Sequence, residues 1–196
     1  RLARARAITM VFQDPYLSLD PRVPVHACLD EVLRLHFDLD PPARARRVRE
    51  LLDQVGLGSR EESALPRELS GGQRQRVAIA RALASTPRVL ILDQAVAALD
   101  VSIQAQILNL LADVRRDTGV AYLFVSHDLA VVRYVTERVL VLHRGRAVEA
   151  GPTARALQAP EQPYTRLLLD SVPRVGWDPA RIAAARRDLA AAGGTS

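Results

Sequence analysis

The sequence has no lysine, and all 27 of its basic residues are arginine. It has one cysteine, Cys28, so no disulfide can form within the chain and no cysteine-rich metal site is available. Aromatic residues make up only 4% of the chain, and no apolar run approaches the roughly 20 residues that a membrane-spanning helix needs. These absences exclude a disulfide scaffold, a membrane span and any chemistry that depends on a lysine ammonium group.

The charge balance gives a net charge of +5 and an isoelectric point near 10.3. The arginines are scattered among aspartates and glutamates, and there are few aromatic side chains on which bases could stack. We therefore expect no nucleic acid partner. A composition of 48% hydrophobic and 25% charged residues is typical of a globular chain that buries one sizeable core.

The hydrophobic periodicity predicts an α/β fold. Amphipathic helices are predicted within residues 23–65, followed by a helix that Ser70 caps, and residues beyond 151 are predicted to be helical and irregular. The strands are predicted at residues 8–12, 89–93, 120–125, 139–142 and 146–149. The apolar runs at 89–93 and 120–125 are typical of fully buried parallel strands.

A phosphate site is indicated at the start of the helix after Leu69. Here Ser70, Gly71, Gly72 and Gln73 follow one another. The glycines allow backbone N–H groups to approach an anion closely, the serine hydroxyl can donate to a phosphate oxygen, and the helix dipole favours negative charge. The four residues are therefore candidates for binding a phosphate group.

Further candidates follow the predicted strands. Asp93 closes a buried strand, where a carboxylate suits a Mg²⁺ ion held through water. Gln94, which comes next, can orient a water molecule but cannot take its proton. His127 lies just past another strand, where its imidazole can hydrogen-bond a phosphate. Asp100 is expected to cap the helix that follows it.

These motifs resemble, in their order, those of the ABC ATPases. The string from Leu69 to Val77 matches that family's signature sequence, and residues 89–93 look like its Walker B strand. The resemblance implies ATP and Mg²⁺ as cofactors. It also implies that Asp100 belongs to the D-loop, that His127 is the switch histidine, and that Gln13 is the Q-loop glutamine, which senses the γ-phosphate and Mg²⁺.

Two departures from the family bear on catalysis. The family usually has a glutamate where this chain has Gln94, and general-base catalysis contributes about 10²–10⁴-fold. No phosphate loop of the form G-x-x-x-x-G-K-[ST] exists in the sequence. The family places that loop upstream of Gln13, so we expect a missing N-terminal portion. ATP hydrolysis by this chain therefore stays an open question, and its own site is expected to be impaired.

Two segments are similar to the dipeptide and oligopeptide importers within the family. These are residues 12–22, around the Q-loop, and residues 162–168, which contain the Pro-Tyr-Thr string of the importers' C-terminal extension. That string could also be a packing device. The resemblance implies a truncated P-loop NTPase core with an inserted helical subdomain and a C-terminal extension. The expected segments are the end of the N-terminal core (1–22), the helical subdomain with the signature (23–87), the α/β core (88–150) and the extension (151–196).

As a member of this family, the chain is expected to pair head to tail with a second ABC ATPase subunit and to act with transmembrane permease subunits. It would lie on the cytoplasmic face of the membrane and energise the import of peptides, which it would meet only indirectly. Two alternatives remain open from the sequence. One is a non-catalytic remnant or regulatory fragment, and the other is a soluble ABC-type ATPase that acts on nucleic acid or ribosomes.

Overall fold

The computed structural model describes residues 6–14, 18–173 and 177–192. They fall into two compact units, which divide between His127 and Asp128. The first unit contains β1 (Ile8–Val11), α1 (Val25–His36), α2 (Pro41–Gln54), α3 (Ser59–Ser63), a 3₁₀ turn (Pro66–Glu68), α4 (Gly71–Leu83), β2 (Val89–Asp93), α5 (Val101–Thr118) and β3 (Ala121–Val125). The second contains α6 (Leu129–Val135), β4 (Arg138–His143), β5 (Arg146–Pro152), α7 (Thr153–Gln158), α8 (Pro163–Asp170) and α9 (Pro179–Ala192).

The first unit is built on a parallel sheet in the order β1-β2-β3. Val11 lies opposite Leu92, and Asp93 lies opposite Val125, so the three strands end at the same edge. Helix α4 packs on β1, where the Thr9 hydroxyl donates to the carbonyl of Ala82 at 3.3 Å. The predicted α/β alternation is therefore confirmed in this unit.

One face of this sheet is much more exposed than the sequence suggests. Leu90 and Leu92 on the other face are completely buried, whereas Leu123 and Val125 of β3 are 55% and 45% exposed. The expectation of a fully buried strand at 120–125 is therefore wrong. In the described part of the chain β3 is an outer strand with a neighbour on one side only, and alternate residues of a strand point to opposite faces.

The helical segment packs as its periodicity predicts. Leu29 and Leu33 of α1 and Leu51 and Leu52 of α2 are almost completely buried. Helix α2 begins where Asp40 accepts the backbone N–H of Ala43 at 2.7 Å. None of the helices in the described residues is long and apolar enough to cross a membrane.

The second unit contains the antiparallel pair β4 and β5. Arg144 and Gly145 form the two-residue turn between them, with φ of 50° and 75°. Positive φ at both central residues is the signature of the type I′ turn, which matches the natural twist of a hairpin. The predicted strands at 139–142 and 146–149 are thus confirmed. Helices α7, α8 and α9 complete this unit.

Candidate functional site

The predicted phosphate site lies at the amino terminus of α4. Ser70 is the N-cap residue: its hydroxyl accepts the backbone N–H of Gln73 at 3.2 Å, and the Gln73 side chain accepts the backbone N–H of Ser70 at 2.9 Å. This reciprocal pair is a capping box. The N–H groups of Gly71 and Gly72 have no acceptor inside the helix, because the first turn of any helix leaves them unpaired. The exposed end of α4 therefore presents amide donors beside a serine hydroxyl, which suits an anion.

The two glycines have different surroundings. A Cβ atom on Gly72 would lie 2.7 Å from Cγ2 of Ile103, whereas one on Gly71 would lie 3.8 Å from Cδ2 of Leu99. Real Cβ atoms essentially never approach another atom as closely as the first distance. Gly72 is therefore required by the contact between α4 and α5, in addition to any role near a phosphate. This contact also places the signature beside the start of α5, which follows Asp100.

Two neighbouring side chains hold the end of α4 in place, and neither stood out in the sequence. Glu61 accepts a hydrogen bond from Nε2 of Gln73 at 3.2 Å. Arg74 is 8% exposed and donates to the carbonyls of Pro66 and Leu69. The sequence gives no periodic or motif signal for such contacts, because they join the signature to the short helix α3 and the 3₁₀ turn that precede it. They fix the direction in which the first turn of α4 points.

Asp100 does not make the helix-capping hydrogen bond that the sequence predicts. It occupies the N-cap position of α5, but its side chain makes no capping hydrogen bond there. The expectation that Asp100 caps the helix is therefore wrong for its side chain. The carboxylate does not turn back onto the first turn of α5, so capping does not account for an aspartate at this exposed position.

The second group of predicted residues lies at the carboxyl edge of the sheet. Gln13 follows β1, Asp93 ends β2, and His127 follows β3. Because the strands are parallel and in register, the three residues share one edge. Ligands of open α/β sheets bind at this edge. Gln13 and His127 are exposed and Asp93 is half-buried.

Gln94 belongs to the same edge and has an unusual backbone. Its φ is +48°, in the left-handed region, and its N–H donates to the carbonyl of Val125 at 2.9 Å. Such a conformation costs roughly 1–2 kcal/mol for a residue with a Cβ atom. The turn continues with a hydrogen bond from the N–H of Ala97 to the carbonyl of Gln94 at 3.0 Å. The buried side chains of Ala95 and Val96 anchor this turn.

The residues at this edge fit a Mg²⁺ ion that takes most of its ligands from elsewhere. The described residues contain no group of three or more histidine, cysteine, aspartate or glutamate side chains that could hold a metal. Mg²⁺ commonly keeps several waters and binds through one or two carboxylates together with substrate phosphates. Asp93 is the carboxylate that ends β2, so it could hold such an ion with Gln13 as a neutral oxygen donor.

The signature and the contact with β1 lie at opposite ends of helix α4. Its carboxyl-terminal part lies beside β1 and the segment that follows, where Arg81 donates to the carbonyl of Ser18 at 2.8 Å. Gly71 lies ten residues earlier in the same helix, which corresponds to about 15 Å at a rise of ~1.5 Å per residue. The signature therefore lies at the opposite end of α4 from the part of the helix that contacts β1.

The Pro-Tyr-Thr string lies in the second unit, at the start of α8. Pro163 occupies the first turn of the helix, and the ring of Tyr164 stacks on His143 with centroids 3.9 Å apart. Thr165 is almost completely buried, next to the turn where the Glu149 carboxylate accepts the backbone N–H groups of Glu161 and Gln162 at 3.0 and 3.3 Å. The structure thus gives each of the three residues a packing role.

Residues 2–97 match the family described as ABC transporter. The chain is 52% identical over 171 residues to the glutathione import ATP-binding protein GsiA of Escherichia coli K12 and 51% identical over 176 residues to that of Salmonella typhimurium LT2. These matches cover 87% and 90% of this chain, but only 27% and 28% of the relatives. The chain thus spans about a quarter of the length of these curated relatives.

Solved structures agree with the fold. The CbiO1 subunit from Clostridium perfringens, part of the ABC transporter complex CbiONQ, matches with a TM-score of 0.73 and 28% identity, over 89% of this chain and 68% of that one. The ATP-binding cassette MJ0796, in a dimeric post-hydrolysis state bound to ADP and phosphate, matches with a TM-score of 0.66 and 31% identity, over 78% of this chain and 65% of that one. The predicted fold, an α/β ATPase core of this type, is confirmed.

Proposed function

Since the chain belongs to the ABC transporter family of ATP-binding proteins, we propose that it supplies its signature to ATP held by a second ABC ATPase subunit. ATP would then lie between the first turn of α4, with Ser70, Gly71, Gly72 and Gln73, and the phosphate loop of the partner. Asp100, at the start of the adjacent helix, would face the same partner. The pair would energise the import of peptides through permease subunits at the cytoplasmic face of the membrane.

The observation that carries this proposal is the exposed, rigidly held first turn of α4. Its amide donors and the Ser70 hydroxyl are suited to phosphate oxygens. They lie about 15 Å along the helix from its contact with β1. A site completed by another subunit would use this exposed turn. Because dimerisation brings together surfaces of two subunits, it also accounts for the exposure of Ser70 and Asp100.

Peptides are proposed as the cargo for two reasons. The curated relatives are named as components of glutathione import, and the chain has a Pro-Tyr-Thr string like that of the peptide importers. Buried Thr165 and stacked Tyr164 make that string part of the packed second unit. The same features favour transport over an ATPase that acts on nucleic acid or ribosomes.

The sheet edge is proposed to be the weaker of the two ATP sites of the pair. Gln13 and Asp93 would hold Mg²⁺ there and His127 would contact the γ-phosphate, but Gln94 cannot accept a proton from the attacking water. Turnover in the assembly would therefore come mostly from the site built on the partner's phosphate loop.

A phosphate-release assay on the assembled pair tests this proposal. The Ser70→Arg variant places a guanidinium where a phosphate would lie and removes the helix cap, so turnover should fall on the order of 100-fold, as it does when an oxyanion donor is lost. The matched control is Ser63→Arg, which adds the same side chain at an exposed serine at the end of α3. Its turnover should equal that of the wild type. Unchanged turnover in Ser70→Arg would contradict the proposal.

A further inference from the structure

The second unit contains a cavity that the proposed function does not use. Its volume is about 250 Å³, and it lies between the β4–β5 turn and helices α8 and α9. The stacked rings of His143 and Tyr164 and the side chains of Leu167 and Leu168 form part of its wall. This volume is slightly below the usual range for small-molecule sites, about 300–1,000 Å³. Like those sites, the cavity combines apolar and aromatic walls with a few polar groups.

Two guanidinium groups from different elements line this cavity. Arg144 comes from the β4–β5 turn and Arg186 from α9. Neither side chain makes a hydrogen bond or an ion pair with another described residue. No aspartate or glutamate is among the described residues that line the cavity. Paired guanidinium groups without a carboxylate are suited to an oxyanion, which they can bind bidentately.

The backbone conformation of Arg144 also indicates a ligand site. Its φ is +50°, at a turn position where asparagine, aspartate or glycine is preferred. A left-handed residue other than glycine is strained, and such strain is found disproportionately at ligand sites. Asparagine would suit this turn better and would place no charge in the cavity. The arginine is thus a poor residue for the turn and a good one for an anion.

We propose that this cavity binds a small organic anion, whose carboxylate or phosphate meets Arg144 and Arg186 and whose apolar or planar body packs on Tyr164 and the two leucines. The hydroxyl of Ser171, which also lines the cavity, already donates to the carbonyl of Leu167 at 2.6 Å. It therefore remains an acceptor and does not add to the attraction for the anion. The site would be distinct from the ATP sites, since it is built entirely from the second unit.

Amide chemical-shift titrations of the 196-residue chain test this site, with benzoate and inorganic phosphate as probes at low salt. Benzoate has both an oxyanion and a planar body, whereas phosphate has the oxyanion alone. We expect benzoate to shift the amides of Gly145 and Ser171 saturably and to bind more tightly than phosphate. Arg186→Gln and Arg144→Asn should each weaken benzoate binding roughly tenfold, as loss of a charged hydrogen bond does.

The control variant is Arg187→Gln, which removes the same charge from the neighbouring exposed position of α9. It should bind benzoate as the wild type does. Arg144→Asn should also melt at the same or a higher temperature than the wild type, which would separate lost binding from lost folding. The proposal is overturned if benzoate gives no saturable shift, if phosphate binds more tightly than benzoate, or if Arg187→Gln weakens binding as much as Arg186→Gln.

Discussion

At the scale of single residues, Gln94 is set in place by its backbone. Its N–H donates a hydrogen bond to the carbonyl of Val125 at the end of β3, and its φ is positive. The fold therefore sets the direction of the side chain, whether that side chain ends in an amide or in a carboxylate. Glutamate and glutamine have the same shape. Exchanging them therefore tests chemistry without altering the geometry of the sheet edge.

The Gln94→Glu variant should retain the free energy of unfolding of the wild type to within about 0.5 kcal/mol, as is usual for a substitution that breaks no packing or hydrogen bond. Its ATP turnover in the assembled pair should not rise, because the proposed site of hydrolysis belongs to the partner. Chemical denaturation and phosphate release measure the two quantities. An increase of about 10²–10⁴-fold, the usual contribution of a general base, would instead make this chain's own sheet edge the site of hydrolysis.

The carboxylate of Glu149 is also stabilised in its charged form by its surroundings. The Thr165 hydroxyl, followed by the backbone N–H groups of Glu161 and Gln162, lowers the pKa of its carboxylate from the ordinary value of 4.5. A carboxylate whose pKa is lower in the folded state than in the unfolded state stabilises the fold. This stabilisation is fully present above the unfolded-state pKa, and it is lost as the pH falls through the folded-state pKa. Glu149→Gln should therefore be less stable than the wild type at pH 7.

Thermal melts between pH 7 and pH 3 check this prediction. The difference in melting temperature between the wild type and Glu149→Gln should shrink as the pH falls below about 4.5, since the wild-type side chain then becomes neutral. A difference that stays constant over the whole range would show that the charge of Glu149 does not stabilise the second unit.

At the scale of secondary-structure elements, the contact between α4 and α5 shapes the signature. Gly72 faces Ile103 so closely that no side chain fits between the two helices, while Gly71 has room for a methyl group beside Leu99. The two adjacent glycines, which the sequence presents as equivalent, thus have different reasons to be glycine. This difference gives a matched pair of variants on one helix.

Gly72→Ala should lower the free energy of unfolding by about 1–3 kcal/mol, the usual effect of forcing an extra methyl group into a packed contact. Gly71→Ala, whose new methyl group would make an ordinary contact, should change it by less than about 1 kcal/mol. Urea denaturation of the two variants measures the difference. Equal effects of the two substitutions would contradict the close approach of α4 to Ile103.

The sequence predicts those elements whose signals are local. Ser70 caps α4, and the strands at β2, β4 and β5 lie where the apolar runs indicate. The exposure of β3, the missing cap at Asp100 and the contact of Gly72 depend on which elements meet in space. A local pattern of apolar and polar residues does not contain that information.

At the scale of the whole molecule, the predicted site residues belong to two parts of the first unit, the sheet edge and the first turn of α4. The sheet edge collects Gln13, Asp93, Gln94 and His127, and α4 places Ser70 about 15 Å along its axis from β1. The sequence predicts both groups from their motifs. The placement of Ser70 at the opposite end of α4 from β1 becomes visible only when the position and length of α4 in the fold are known. The exposure of this first turn favours a site shared with another subunit.

In the proposed function, Ser70 and its neighbours bind ATP that a partner subunit holds. Because coupling between two ligands is reciprocal, ATP must then tighten the association of this chain with a partner ABC ATPase subunit that has a phosphate loop. Sedimentation equilibrium without Mg²⁺, with and without ATP, measures this directly. We predict that ATP lowers the dissociation constant of the wild-type pair at least about tenfold, or ~1.4 kcal/mol, and has no effect on the Ser70→Arg pair. Equal tightening of both pairs, or of neither, would contradict the account.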